Sequence, residues 1–340
     1  MIGLTPFRSG FAMSHEFDLI NQYFAPLSQV DSGEVGIGDD GAILNCPANH
    51  QLVVVTDTLI AGRHFPLNTT PYDIAWKALA VNLSDLAAMG AKPAFYSLAL
   101  TLSPQENNQA WLKSFSLGLK TLSEQAQIRL IGGDTTQGPL SITVTAQGWV
   151  PSGKGLLRSG ALAYADIYIS GALGNGGLGL ANVLNQLMPG DVGYCTDAIA
   201  KLNRPEPRLS LGQALLAQNL ALAAIDISDG FLADLSHILK ASNLAASIDY
   251  DALPLSEALI AWAKKQSDSL FGLNTGDDYE LCFVALPDSA SAIKQLADSL
   301  GLRLSRVGQT LPYTAEGERL VLRDSAGNVM PMKRLGYQHF

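Results

Sequence analysis

Histidine, cysteine and basic side chains are scarce in this sequence, and each shortage narrows the functions that it can carry. Five histidines in 340 residues give little support for a zinc cluster or a serine triad. The three cysteines, Cys46, Cys195 and Cys282, are far apart and lack metal-site spacing, which favours reduced thiols. Lys and Arg number 22 against 31 Asp and Glu, and the net charge of -9 argues against binding to nucleic acid or to an anionic membrane.

Long apolar runs are missing as well. No segment reaches the roughly 18 apolar residues that cross a bilayer, and the N-terminus has no apolar run of signal-peptide length. We therefore expect a cytoplasmic protein with small, metal-bearing partners. Residues 1–13 are expected to form a tail.

The chain does have 47% hydrophobic residues and a length that suggests two domains. Segments with strand character alternate with segments of helical period in both halves, which predicts an α/β fold (α+β with mixed sheets). A Pro/Gly/Ser-rich segment, VPSGKGLLRSGALA, separates the halves. It predicts an N-terminal domain over residues 14–150 and a C-terminal domain over residues 151–340.

Local signals mark several element ends. The clearest helix is predicted over Pro71–Gly90, with Thr70 as the N-cap and Asp73 as the second member of a capping box. Further along, DTTQGP predicts a turn between two strands, and a helix is expected after Gly179.

Two glycine-rich segments partly match nucleotide-binding loops. Gly148–Gly155 nearly matches a P-loop, but Gly155 stands where a Ser or Thr would ligate magnesium, which favours a domain linker. Gly174–Gly179 matches G-x-G-x-x-G after a predicted strand. The acidic residues that follow, Asp191 and Asp197, lie in a stretch without strand pattern, so a tight strand-to-helix turn is favoured over a dinucleotide site.

Aspartates recur where apolar strands end or within apolar helices. They are Asp39, Asp40, Asp57, Asp85, Asp134, Asp226 and Asp229. A buried carboxylate needs hydrogen bonds, a basic residue or a metal, and the nearest basic residues in sequence are few, with Arg63 and Lys77 the closest. Oxygen ligands beside glycine-rich turns suit Mg²⁺ that bridges to phosphates. Taken alone, Asp39 or Asp229 is better explained as a turn residue or a helix cap, but the recurrence of aspartates in comparable positions favours the metal site.

The residues around these aspartates bear on mechanism. His64 lies in a loop a few residues after Asp57. It is either a site residue or a structural histidine. Asp226 and Ser228 point to the same side of an extended segment, and Asp229 precedes a helix whose N-terminal amides can face a phosphate. If the attacking group is a phosphate oxygen, whose second pKa is about 6, no general base is required. Catalysis is then charge neutralisation and in-line positioning.

Several segments together resemble the thiamine-monophosphate kinase family, from about residue 14 to the end. They are GIGDDGAIL, TDTLIAGRHF, DIAWKALAVNLSDLAAMGAKP, LIGGDTTQGPL, RSGA, DISDGFLADL, GDDYEL and GYQHF. The wider superfamily includes aminoimidazole ribonucleotide synthetase and selenophosphate synthetase. The resemblance implies a two-domain aminoimidazole ribonucleotide synthetase-like architecture, whose N-terminal domains pair in a homodimer with ATP and several Mg²⁺ ions near the interface. It also implies transfer of the ATP γ-phosphate to thiamine monophosphate, giving thiamine diphosphate and ADP in the last step of thiamine diphosphate biosynthesis.

The resemblance further implies the site residues, with none acting as a general base. Metal ligation falls to Asp40, Thr56, Asp57, Asp85, Asp134, Asp226 and Asp229. ATP contacts fall to Gly133, Asp134, Arg158 and Ser228, and thiamine monophosphate is met by His64, Asp277 and Tyr337. The family usually has Gly-Gly-Glu-Asp-Tyr-Glu where this chain has TGDDYE, so the carboxylate of Asp277 stands one methylene shorter.

Three other readings stay open on sequence. A ligase of the aminoimidazole ribonucleotide type would share the ATP-binding aspartates. A nicotinamide-dependent oxidoreductase would use Gly174–Gly179. A non-enzymatic binder of divalent cations is disfavoured because Arg158 and the glycine turns have no role in it.

Overall fold

The computed structural model describes residues 16–184, 186, 195–266, 270–332 and 336. These residues form two mixed β-sheets with helices packed on them, which confirms the predicted fold class. The expected tail, residues 1–13, lies outside the described residues. The domain boundary between residues 150 and 151 stays a prediction, although one sheet ends at Pro151 and the other begins at Asp166.

The first sheet has four strands. They are β1 (His50–Ile60), β2 (Lys92–Leu102), β3 (Arg129–Gln137) and β4 (Ser141–Pro151). Their order is β1-β4-β2-β3, with β2 and β3 parallel and the other neighbours antiparallel. The strands β1 and β3 are therefore the two edges of this sheet.

The second sheet has six strands. They are β5 (Asp166–Ser170), β6 (Ala223–Ile227), β7 (Leu244–Asp249), β8 (Glu280–Ala285), β9 (Leu304–Pro312) and β10 (Leu320–Arg323). Their order is β10-β7-β9-β5-β8-β6, with β7 and β10 parallel and the other neighbours antiparallel. The strand β6 lies at one edge, and every residue of it is buried.

The α-helices of the described residues differ widely in length. They are α1 (Glu16–Leu19), α2 (Pro71–Ala88), α3 (Gln109–Ala126), α4 (Asn175–Val183), α5 (Cys195–Asn203), α6 (Leu209–Ala217), α7 (Phe231–Ala241), α8 (Glu257–Gln266), α9 (Phe271–Asn274) and α10 (Ala290–Leu300). None of the helices in the described ranges combines the length and the apolarity needed to cross a membrane.

The helix α2 lies between the two sheets. Its predicted start is confirmed, because the Asp73 amide donates to Thr70 Oγ1 at 3.2 Å and Thr70 Oγ1 donates to the Asp73 carboxylate at 2.7 Å. Almost all of its residues are buried. On one side α2 packs on the first sheet, and on the other it meets α6, where a Cβ on Gly212 would lie 1.9 Å from the carbonyl oxygen of Ala87. Side chains of α2 therefore reach both halves of the molecule.

One face of the first sheet is covered by α2 and α3, and the other is open. Side chains of β1 and β4 alternate between more and less buried, as expected for strands with a single covered face. On the open face of β1, Leu52, Val54 and Ile60 are 47%, 55% and 44% exposed. The described residues thus leave these apolar side chains of the sheet uncovered.

Two local predictions are wrong, both because of long-range partners. The turn DTTQGP was expected from Asp134, but β3 continues to Gln137 because it pairs with β2 through Leu102. The helix expected after Gly179 begins at Asn175 instead. The carboxylate of Asp278, about a hundred residues downstream, accepts the amides of Gly174 and Gly176 at 2.8 and 3.1 Å and so starts the helix early.

The glycine-rich turn before α4 therefore binds a carboxylate of the chain itself. Asp278 is held between two amides of the kind that cradle a dinucleotide pyrophosphate in other folds. This arrangement supports the strand-to-helix turn over the dinucleotide site.

Candidate active site

Three carboxylates from different elements meet where α2 passes between the sheets. They belong to Asp57 of β1, Asp85 of α2 and Asp226 of β6. A protonated Asp85 donates a hydrogen bond to Asp57, and Ser84 Oγ donates to Asp226 Oδ2 at 2.9 Å. Residues far apart in the sequence are thus assembled into one acidic cluster by the packing of α2.

Burial and mutual repulsion disfavour ionisation of this cluster. Burial, then the charges of Asp226 and Asp57, raises the pKa of Asp85 to about 8. Burial also raises the pKa of Asp226 to about 6, against the hydrogen bond from Ser84, and it raises the pKa of Asp57. Three neighbouring acids with raised pKa values form a site that a cation would stabilise in its ionised form.

The donor set fits Mg²⁺, which prefers hard oxygen ligands. The guanidinium of Arg158 is the basic group that lowers the pKa of both Asp85 and Asp226. In the part of the chain that is described, no three or more His, Cys, Asp or Glu side chains form a ready-made metal cage. A Mg²⁺ ion at the cluster would therefore have to take further ligands from water and substrate phosphates.

The start of α7 is held by Asp234. Its Oδ2 accepts the amides of Ser228, Asp229 and Gly230 at 3.0, 3.1 and 3.1 Å. These three amides come before the first residue of α7 and bind a side chain of that helix. The expectation that the N-terminal amides of α7 itself face a phosphate stays a prediction. Burial, followed by the charges of Asp226 and Asp229, raises the pKa of Asp234 to about 8.

A second polar group adjoins the acidic cluster. Lys77 of α2 lies with its Nζ 2.7 Å from Asp277 Oδ1 and 3.4 Å from the carbonyl oxygen of His64. The Tyr279 hydroxyl donates to Asp277 Oδ1 at 3.2 Å. The His64 ring accepts the Ile60 amide at Nδ1, 3.0 Å away, so its neutral form carries the proton on Nε2.

The two groups form one continuous site. Burial raises the pKa of the Tyr279 phenol, and the charges of Asp277, Asp226 and Asp57 raise it further. Tyr279 therefore contacts Asp277 and lies close enough to the acidic cluster to feel the charges of Asp226 and Asp57. His64 and Asp277, two of the expected substrate residues, are brought together on this side, and the third, Tyr337, lies outside the described residues.

Several expected ATP and metal residues lie elsewhere within the chain. Asp40 is exposed in a turn in which its amide donates to Asp39 Oδ1 at 2.8 Å. Thr56 is on the open face of β1, where its hydroxyl donates to Thr145 Oγ1. Asp134 is exposed on the opposite edge strand, β3.

Gly133 lies next to Asp134, where β3 comes too close to β2 for any side chain. Its φ is +154°, and a Cβ there would lie 1.8 Å from the carbonyl oxygen of Leu98. The glycine is required by the pairing of the two strands. Because Gly133 has no side chain, it does not cover the edge of β3 beside Asp134.

Four residues of the site were not among those expected from sequence. They are Lys77, Ser84, Asp234 and Tyr279. Lys77 carried a usable signal, because it is the only basic residue of α2 and lies eight positions before Asp85, on the same helical face. Ser84, Asp234 and Tyr279 gave no such signal, since each acts through a contact that only the folded chain creates.

Comparison with known proteins agrees with this geometry. The chain matches the AIR synthase related protein family in both parts, its N-terminal domain over residues 38–150 and its C-terminal domain over residues 166–318. Thiamine-monophosphate kinase of Escherichia coli (strain K12) is 45% identical over 328 residues, which are 96% of this chain and 98% of that protein. The kinase of Bacillus subtilis (strain 168) is 33% identical over 331 residues, covering 96% and 99%.

Solved structures give the same result. The thiamine-monophosphate kinase from Stenotrophomonas maltophilia K279a has a TM-score of 0.77 at 45% identity, over 85% of this chain and 90% of that one. AaThiL, complexed with AMPPCP and TMP, has a TM-score of 0.73 at 26% identity, over 96% and 97%. The hydrogenase maturation protein HypE, at 18% identity and a TM-score of 0.74, shares the fold. The chain belongs to the thiamine-monophosphate kinase family of AIR synthase related proteins.

Proposed function

We propose that this protein transfers the γ-phosphate of ATP to thiamine monophosphate, giving thiamine diphosphate and ADP in the cytoplasm. The observation that carries the proposal is the cluster of Asp57, Asp85 and Asp226 beside the Lys77–Asp277 pair. The cluster suits metal-bound phosphates, and the pair suits a polar organic group next to them. The E. coli relative, 45% identical over almost the whole chain, is a thiamine-monophosphate kinase, and AaThiL binds AMPPCP and TMP.

Mg²⁺ is the proposed metal. Asp57, Asp85 and Asp226 would hold it, and Asp40, Thr56, Asp134 and Asp229 are proposed as further ligands. When bound, Mg²⁺ neutralises phosphate charge and helps to align the reacting groups. In its ionised form the cluster would provide the oxygen atoms for this role, with Asp226 buried and Asp57 and Asp85 partly exposed.

The chain needs no general base for this transfer. The acceptor is a phosphate oxygen, which is largely ionised at neutral pH because its second pKa is about 6. Arg158, whose charge reaches Asp85 and Asp226, is placed to offset negative charge on the phosphates. Gly133, Asp134 and Ser228 complete the proposed ATP contacts.

The substrate side is proposed to hold the thiamine part. Asp277 adjoins the acidic cluster through Tyr279, and the carbonyl oxygen of His64 contacts Lys77, the partner of Asp277. Tyr337 is the third proposed contact. His64 presents a protonated Nε2 in its neutral form, because Nδ1 is occupied by the Ile60 amide.

We further propose that the protein is a homodimer whose sites are shared between two copies. Asp57 and Asp134 lie on opposite edge strands of one sheet, three strand spacings or roughly 14 Å apart. A second copy that packs its open sheet face against this one would cover Leu52 and Val54. Because Asp57 points to the covered face of β1, Asp134 of the second copy would have to reach the cluster past the edge of that strand. Burial of an exposed apolar face and completion of the site favour the same arrangement.

An acceptor-dependent assay tests the proposed activity. Purified protein is incubated with ATP, Mg²⁺ and either thiamine monophosphate, free thiamine or formylglycinamidine ribonucleotide, and ADP and thiamine diphosphate are measured. We expect turnover with thiamine monophosphate alone. ADP release that does not depend on thiamine monophosphate refutes the proposal, and a response to formylglycinamidine ribonucleotide favours the ligase.

A further inference from the structure

The side chain of Lys77 is an isolated cation in the middle of an apolar helix. It is only 4% exposed, although an ammonium group is among the most costly groups to bury. Its partners are Asp277 Oδ1 at 2.7 Å and the carbonyl oxygen of His64 at 3.4 Å. Both partners belong to residues proposed to contact the substrate.

Asp277 has a constrained backbone. Its φ is +67°, in the left-handed region that residues with a side chain seldom adopt, and its amide donates to the carbonyl oxygen of Ser228 at 2.9 Å. Strained residues persist where surrounding contacts over-determine them, and they concentrate at functional sites. Here the side-chain contacts come from Lys77 and from the Tyr279 hydroxyl.

The ion pair has one buried and one accessible partner. The side chain of Asp277 is 23% exposed, against 4% for Lys77. Lys77 and Tyr279 both contact Oδ1, so their hydrogen bonds fix the plane of the carboxylate and turn Oδ2 away from the pair. A ligand that enters the site meets Asp277 and is separated from the ammonium group by it.

We propose that Lys77 is a positioning residue for the substrate, which fixes the Asp277 carboxylate so that Oδ2 accepts a hydrogen bond from an N–H group of the thiamine part. This inference rests on the proposed kinase activity. Lys77 also offsets the charge of Asp277, so the contribution of Asp277 to binding is a directed acceptor more than a net negative charge. A carboxylate free to rotate would lose that direction.

A double-mutant cycle separates this role from its alternatives. The variants are Lys77→Met, Asp277→Asn and the two combined, with KM for thiamine monophosphate, KM for ATP and kcat measured for each. We expect each single change to raise KM for thiamine monophosphate by about tenfold to a hundredfold, with kcat and KM for ATP altered by less than about threefold. The combined variant is expected to be no worse than Asp277→Asn, because Lys77 acts through Asp277.

Two further variants control for structural damage. Arg204→Met removes another ion pair on α2, that with Asp73, at a side chain that is 52% exposed, and it is expected to leave KM for thiamine monophosphate within about twofold. Lys77→Arg retains the cation and is expected to restore part of the affinity. If Lys77→Met does not fold, the combined variant, in which neither charge is left unpaired, still gives the comparison with Asp277→Asn.

The outcomes distinguish this inference from the proposed function. Losses that multiply in the combined variant would show that Lys77 contacts the substrate by itself, and an unchanged KM or a loss confined to kcat would likewise overturn the positioning role. If the wild-type protein turns over thiamine monophosphate, these results bear on Lys77 alone. If it does not, the proposed function fails and the inference falls with it.

Discussion

At the level of single residues, Asp85 combines a cost to the folded state with a proposed role as a metal ligand. Its pKa is raised from 3.8 to about 8, so the unfolded chain ionises this carboxyl group at a far lower pH than the folded chain does. Stability from this group is therefore fully present below about pH 4 and is lost as the pH rises through about 8. The cluster is held together by packing, against the repulsion of its own carboxylates.

We expect Asp85→Asn to separate stability from activity. Without divalent cations at pH 8.5, the variant should have a higher Tm than wild type, and its Tm should depend less on pH between 5 and 8.5. Mg²⁺ should stabilise wild type more at pH 8 than at pH 6, because protons compete with the cation, and should stabilise the variant less. Turnover should fall by about a hundredfold or more.

Thermal unfolding with and without Mg²⁺, together with the kinase assay, checks this prediction. Asp298→Asn, a change at an exposed position of α10, is the matched control and should match wild type in both. An Asp85→Asn variant with near-normal turnover would remove Asp85 from the proposed metal ligands.

Gly133 gives a residue-scale prediction about the fold. Gly133→Ala should lower the free energy of unfolding by about 2–4 kcal/mol, because the new Cβ meets the backbone of β2 at a positive φ. Gly132→Ala is the control, since a Cβ on that neighbour has nothing within 4 Å. Urea unfolding of both variants measures the difference, and equal midpoints would mean that β2 and β3 can move apart.

Sequence patterns selected a residue where its own segment carries the signal and missed it where the signal is a contact with a distant residue. Asp57, Asp85 and Asp226 were expected to be part of one site because each carboxylate sits in an apolar segment, and the structure brings them together. Asp234 was missed because its role depends on three amides that turn toward it only when α7 forms. Lys77 was noticed only as the nearest base, since its partner Asp277 lies 200 positions away.

The same distinction holds for whole elements. The start of α2 was predicted correctly because the capping residues Thr70 and Asp73 are neighbours in sequence. The start of α4 was not predicted correctly, because the amides of Gly174 and Gly176 are capped by Asp278, which lies 104 and 102 positions away in the sequence. A local sequence pattern does not predict where a helix begins when its capping side chain is distant in the sequence.

The segment between α5 and α6 joins α2 to β8 and gives an element-scale prediction. Arg208 makes two hydrogen bonds with the buried carboxylate of Glu280, which also accepts from Ser170 Oγ. In the same segment the carbonyl oxygen of Pro205 accepts from Trp76 Nε1 at 3.0 Å. The segment therefore holds the helix that carries Lys77 and Asp85 against the strand that follows Asp277.

We expect Arg208→Met to lower the free energy of unfolding by about 3–5 kcal/mol, because it leaves the buried Glu280 carboxylate without its cation. Arg204→Met removes a guanidinium that is 52% exposed from the buried Asp73, whose carboxylate still accepts a hydrogen bond from Thr70 Oγ1, so it should cost less, about 1 kcal/mol. Chemical denaturation of the two variants provides the measurement. Comparable losses in both would contradict the distinction between a mostly buried guanidinium and a half-exposed one, on which the prediction rests.

At the scale of the whole molecule, the open sheet face and the scattered ATP residues bear on the same question. Leu52 and Val54 leave about half of their surface exposed on the face of β1, and Asp134 lies at the far edge of that sheet. In the proposed dimer, each site takes Asp85 from one copy and Asp134 from the other. The catalytic unit would then be the pair of chains.

Mixing two inactive variants tests this arrangement. Asp85→Asn and Asp134→Asn should each be inactive alone, but when they are unfolded together and refolded, half of the dimers should be mixed and each should contain one intact site. We expect about a quarter of wild-type activity in the mixture, as random pairing of symmetric dimers requires. A mixture of Asp57→Asn with Asp85→Asn should stay inactive, because both changes fall in the cluster of one copy. If the first mixture also stays inactive while size-exclusion chromatography shows dimers, Asp134 serves the site of its own chain and the sharing of sites is refuted.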